Sequence, residues 1–200
     1  MSTQSRSRGG RPRDASLDAR ILEQTFTLLA AKGFGGLRAD DVARCAGVPK
    51  STIYRRWSSL AELAVDAVDT AMGPRACEAG ADPLADLTEI IVKAHSYLVA
   101  SPLAPALPRL AIELTGNPEA AASYRERVIA PLRDGAITAV RRAQAIGQWS
   151  GPDPVTSVDM MIGTVAYRLL YLGHTASLEE TFEIAEAVAR RTLPRPTPQD

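Results

Sequence analysis

Residues 38–63 read RADDVARCAGVPKSTIYRRWSSLAEL. A short helix is expected at about Ala39–Ala46, with Val42, Ala43 and Ala46 facing inward. Gly47 breaks it, and Pro49 restarts helical geometry as a first-turn residue. The new helix continues through Ser51–Trp57. Two short helices joined by a tight glycine turn make a helix-turn-helix. The small Ala43 and Ala46 let the two helices cross closely, and Val48 and Ile53 fill the gap between them. Lys50, Ser51, Thr52, Tyr54, Arg55 and Arg56 are left on or near one outer surface, where they are donors suited to phosphates and base edges. Ser59-Leu60-Ala61-Glu62 is a capping-box pattern that opens a fourth helix carrying Leu63, Ala67 and Val68.

Upstream, a helix from about Ser16 to Lys32 places Ile21, Leu22, Thr25, Phe26, Leu28 and Leu29 at helical spacing, and Gly33 ends it. Residues 1–14 are Gly, Ser, Pro and Arg with nothing to bury, and are expected to be a disordered basic arm. Downstream, GPRACEAGADP (73–83) is the clearest internal boundary. Helical patterns follow at 84–100, 103–115, 118–146, 154–173 and 178–191. Pro105, Pro108 and Pro131 fall inside these windows and imply kinks or irregular turns. The expected fold is therefore all-α, with about nine helices and no strand-like alternation. A three-helix helix-turn-helix domain occupies 15–73, a linker 74–83 and a larger helical domain 84–193. Residues 194–200 form a disordered tail.

The net charge is zero, but it is unevenly spread. Residues 1–63 hold 11 Lys+Arg against 6 Asp+Glu, and residues 64–200 hold 12 against 17. A basic front on an acidic body points to a polyanionic partner for the front alone. The start, MSTQSRSRGGRPRD, has no apolar core of a signal peptide. No apolar run approaches the ~18 residues of a membrane span, so a cytoplasmic protein without a membrane partner is expected. Of the two cysteines, Cys45 is expected to be buried and inert and Cys77, in the linker, more exposed.

The stretch A-G-V-P-K-S-T-I-Y-R-R-W (46–57), preceded by Gly33-Phe34 and followed by Ala61-Glu62-Leu63, resembles the TetR family of bacterial transcriptional repressors. The resemblance covers about residues 16–70. It implies that the third helix enters the major groove of double-stranded operator DNA. It also implies that the last two helices form a homodimer and that a cavity in the larger domain binds a small-molecule effector. By position, Lys50, Thr52 and Tyr54 match family residues that touch DNA, while Ser51 and Arg55 stand at variable positions where operator specificity can lie. Arg56 stands where the family commonly has His or Tyr, and Trp57 replaces Phe as a core plug. Three positions depart from the pattern. Arg38 and Pro49 stand where helix caps are customary, a loss of about 0.5–2 kcal/mol each unless Asp40 or Ser51 substitutes. Leu60 stands where a phosphate-binding Lys is common. Arg38 can supply a phosphate contact by charge, and Arg8, Arg11 and Arg13 either enter the minor groove or form a solvated end.

Effector-site candidates are the polar or aromatic residues set among apolar ones: His95, Tyr97, Arg109, Glu113, Tyr124, Trp149, Tyr167 and Arg168. His95 and His174 lie too far apart to imply a metal site, and no cofactor is expected. An all-α enzyme is disfavoured: there is no Gly-rich phosphate loop, no Ser-His-Asp or Cys-His set and no clustered carboxylates with a base. The altered caps and Leu60 keep one alternative open, an all-α interaction protein that has lost sequence-specific DNA binding.

Overall fold

In a computed structural model, residues 15–196 other than Pro105 are described. They are helical, with no strand among them. The front end comprises α1 (Ala15–Lys32), α2 (Ala39–Ala46), α3 (Lys50–Tyr54) and α4 (Leu60–Met72). Beyond the linker come α5 (Pro83–Leu98), α6 (Leu107–Glu113), α7 (Pro118–Tyr124), α8 (Ala130–Ala145), α9 (Pro154–Leu172) and α10 (Leu178–Ala189). A π-helical turn at Arg125–Ile129 joins α7 to α8 in one continuous rod. The ten helical segments thus make nine helices among the described residues.

Several boundaries differ from the expected ones, each for a local reason. The helix expected at 103–115 starts only at Leu107, because Pro108 lacks an N–H and is tolerated only in a first turn. The third helix, α3, ends at Tyr54, and Arg55–Trp57 close it with turn bonds to Ser51 and Ile53. The chain leaves α10 where Arg190 takes a left-handed φ of 55°. The basic arm (1–14), Pro105 and residues 197–200 lie outside the described residues. Pro194 and Arg195, assigned by sequence to a disordered tail, are tied down. Thr88 Oγ1 donates to Pro194 O (2.7 Å), and Arg195 pairs with Glu186 (2.6 Å) and Glu179 (3.0 Å) over the Phe182 ring.

Two apolar cores are present, and they do not divide at the linker. The front core joins Ile21, Leu29, Val42, Ile53, Trp57, Leu63 and Val68 to Leu103, Leu107, Leu110, Leu114, Tyr124 and Val128. The rear core is built from α5, α8, α9 and α10, with Leu87, Val140, Val158 and Phe182 among its most buried members. So α6 and α7 follow the linker in sequence but pack with the helix-turn-helix. Pro131 accounts for the π-turn between the cores. It has no N–H to give the Arg127 carbonyl four residues back, and the guanidinium of Arg75 supplies the missing donor.

Candidate nucleic-acid interface and effector cavity

The reading helix is held by its apolar side. Thr52, Ile53 and Trp57 are buried, and Gly47 turns the chain from α2 into α3. There Gly47 adopts a left-handed φ of 64°, and Val48 N–H reaches back to Ala43 O (2.9 Å). This places Lys50, Ser51, Tyr54 and Arg55 on the exposed side, with Tyr54 47% exposed. Lys50 Nζ meets Asp40 at 3.0 Å, an exposed pair that holds the cation little and leaves it free to exchange for a phosphate. Arg55 Nη2 donates to Thr52 Oγ1 (3.2 Å), which aligns the guanidinium along the helix.

Thr52 and Arg56 are placed differently from their neighbours. Thr52 is only 6% exposed, so its side chain serves the helix and Arg55. Arg56 is half-buried and ion-pairs with Asp18 of α1, tying the end of α3 to the first helix. Arg38 is exposed, but its Nη1 donates to Gly35 O (2.8 Å) and Leu37 O (2.9 Å), bracing the turn before α2. Neither Arg38 nor Pro49 caps its helix, and neither Asp40 nor Ser51 takes over. Backbone turn bonds, Asp41 N–H to Arg38 O and Thr52 N–H to Pro49 O, close the two helix starts instead. At α4 the expected cap is present: Ser59 Oγ accepts from Glu62 N–H (3.1 Å), while Glu62 Oε2 reaches the Ser58 N–H (2.6 Å).

A polar chain runs from the reading helix into the rear of the molecule. Trp57 Nε1 donates to Asp66 Oδ2 (2.7 Å), and Arg127 of the π-turn grips Asp66 (2.6 Å) and Asp69 on α4. Arg75, only 5% exposed, completes the chain against Asp69 and the Gly73 carbonyl (2.7 Å). Burial pushes the Asp69 carboxyl up, but hydrogen bonds from Arg75 and Arg127 outweigh it and hold the group below its usual range. Asp66 and Asp69, three residues apart, share one face of α4. The basic partner common to both lies some sixty positions away, at 127. Spacing along α4 shows the first fact and cannot show the second.

The rear core contains a small apolar cavity of about 60 Å³, open at its mouth, between α5, α8, α9 and α10. Of the eight effector-site candidates only His95 lines it. Tyr97 points the other way and donates to Met72 O (2.9 Å) at the end of α4. Glu113 accepts from the Gly35 N–H (3.1 Å), and Tyr124 is buried in the front core, donating to Leu107 O (3.1 Å). Trp149 is buried against Pro152 O, and Arg109 is exposed on α6. Tyr167 stacks on Tyr171 at the surface, and Arg168 sits 4.0 Å from Glu180. The real lining residues, such as Leu87, Ile91, Met161 and Val165, are aliphatic and look like any core in the sequence.

The cysteines are reversed from expectation. Cys45 is exposed, because α2 is amphipathic and turns that position outward. Cys77 is half-buried, with Lys93 Nζ 3.3 Å from its Sγ. No group of three or more metal-ligating side chains occurs among the described residues, and no helix there is long and apolar enough to cross a membrane.

A short helix presented by a glycine turn, with its polar side free, defines a helix-turn-helix DNA-binding protein. Residues 21–67 match the model described as bacterial regulatory proteins, tetR family. Residues 80–188 match the tetracyclin repressor-like C-terminal domain. The chain belongs to the TetR family and is a transcriptional regulator, in a family of DNA-binding regulators and not of enzymes. It is 29% identical over 174 residues to the uncharacterized HTH-type transcriptional regulator YdeS of Bacillus subtilis, covering 84% of this chain and 85% of that one. A crystal structure of a TetR-family transcription regulator aligns with a TM-score of 0.65 at 26% identity, over 90% of this chain and all of the other. The regulator FadR of Bacillus subtilis, solved in complex with stearoyl-CoA, shares the fold at 16% identity and a TM-score of 0.66, over 85% and 96% of the two chains.

Proposed function

We propose that the protein is a homodimeric repressor that binds a near-palindromic operator and is released by a small-molecule effector held in the rear cavity. The observation that carries this reading is the polar chain Trp57–Asp66–Arg127. It connects the reading helix to the rod whose next residues, Leu132 and Ala136, form a wall of the cavity. A ligand that favours a different position of α8 thereby biases the position of α4 and of the helix that Trp57 anchors. Lys50, Ser51, Tyr54 and Arg55 make the principal DNA contacts, with Arg38 at the flank; Thr52 and Arg56 position the helix.

The outer face of α9 supports the dimer. Of the large apolar side chains exposed among the described residues, Val155, Met160, Tyr167, Tyr171 and Leu172 all lie on this helix. Met160, Tyr167 and Tyr171 share one stripe, and Gly163 within it leaves open space for a close partner. Two-fold symmetry in the protein is mirrored by two half-sites in the DNA. Electrophoretic shift with DNA from the gene's own upstream region tests the reading. Salt-sensitive, sequence-selective binding by a dimer is expected, and binding without sequence preference would overturn it.

A further inference from the structure

We infer that the rear cavity selects an uncharged, hydrocarbon-bodied molecule that carries a hydroxyl group. The inference rests on the reading of this cavity as the effector site and adds the chemical class of the effector. Thirteen of the fifteen lining residues are Leu, Ile, Ala, Val or Met, and none is Lys, Arg, Asp or Glu. A carboxylate, phosphate or ammonium placed there would lose its water and meet no side chain of permanent opposite charge, a cost that hydrocarbon contact does not offset.

The two polar lining residues are His95 and Thr181, and both are committed as donors. Thr181 Oγ1 donates to Ser177 O (2.9 Å). His95 Nε2 lies 3.1 Å from Ala176 O, and a carbonyl only accepts, so the hydrogen sits on Nε2. In the neutral imidazole this leaves Nδ1 with a lone pair. What these two side chains still offer is acceptor capacity, the complement of a hydroxyl hydrogen. The long acyl thioester found with FadR carries phosphates that nothing in this lining can neutralise.

Naphthalene, naphthol and naphthoate present one ring system with no polar group, a hydroxyl and a charge. Titrated against the full-length protein at neutral pH, naphthol is expected to bind about five- to tenfold more tightly than naphthalene, as one hydrogen bond allows. Naphthoate is expected to show no saturable binding. His95→Leu keeps the volume and removes the acceptor, so the advantage of naphthol should vanish while naphthalene binding persists. Ala136→Phe fills the cavity and should abolish both; if that variant fails to fold by circular dichroism, His95→Leu still decides. Naphthoate or an acyl-CoA binding more tightly than naphthol would overturn the inference, and so would failure of both neutral probes to bind. The effector reading fails separately: naphthol that binds as expected yet leaves the DNA complex unshifted refutes release while the cavity chemistry stands.

Discussion

The front and rear cores of this molecule are held together in different ways. In the front core the short helices α2 and α3 are set by local devices, the Gly47 turn and the Ser59 cap of α4, and tied to α1 by the long-range Arg56–Asp18 pair. The centre of that core is filled by Ile21, Ile53, Trp57 and Leu63. The rear core consists of α5, α8, α9 and α10 meeting through aliphatic side chains around a small cavity. Polar contacts are concentrated where the two meet, at Asp66, Asp69, Arg75 and Arg127. That is where a change in the rear can be felt in front.

The largest expected difference between the two regions is mechanical. Leu63→Ala in the closed front core should cost about 3 kcal/mol, read as a drop in the urea midpoint. Ile162→Ala at the half-buried cavity wall should cost about 1 kcal/mol or less, with its main effect on ligand binding. Equal losses would mean that the rear core is packed as tightly as the front.

Arg127→Met tests the junction. It leaves Asp66 and Asp69 short of a partner at a part-buried site, a loss of about 1–3 kcal/mol. DNA binding by the folded variant should persist while its response to a cavity ligand falls away. A variant that remains fully responsive would remove the polar chain from the coupling.

On the reading face, Arg55→Ala should weaken operator binding by about tenfold and leave the unfolding transition where it was. Loss of stability instead of affinity would make Arg55 a structural residue like Arg56.

The pH dependence is smaller and has a definite sign. Asp69 is held below its usual carboxyl range, so its contribution to stability is complete above pH ~4 and is lost as the pH falls through the lower folded value. Asp69→Asn should flatten the acid limb of the stability curve. The smallest effect is expected at the end of the chain. Arg195→Ala removes exposed pairs with Glu179 and Glu186 and should cost under about 1 kcal/mol in thermal unfolding.

The reading helix was legible because its signals are local. A glycine that must turn left-handed, a proline at a helix start and the alternation of Val48 and Ile53 with polar neighbours all act within a few residues. Ser177-Leu178-Glu179-Glu180 carries the same kind of signal, and a complete capping box forms there, although the sequence reading placed that helix without using it. The lining of the rear cavity is illegible for the opposite reason. Its side chains are aliphatic like those of any core, while Tyr97, Glu113 and Tyr124 spend their polar atoms on backbone partners of the front end. Pro131 announced an irregular turn. That its freed carbonyl would be met by Arg75 was not visible, since the two lie far apart in the chain.

The sequence by itself determined an all-helical chain, the position of the glycine turn and the residues offered on the reading face. Those follow from backbone propensity and helical periodicity, which act over a few residues at a time. Only the tertiary structure decided that α6 and α7 join the front core, that Arg56 faces Asp18, and that Arg127 holds α4 beside an apolar cavity. Each of these depends on which distant surfaces meet, and burial rewards apolar area whatever its place in the chain.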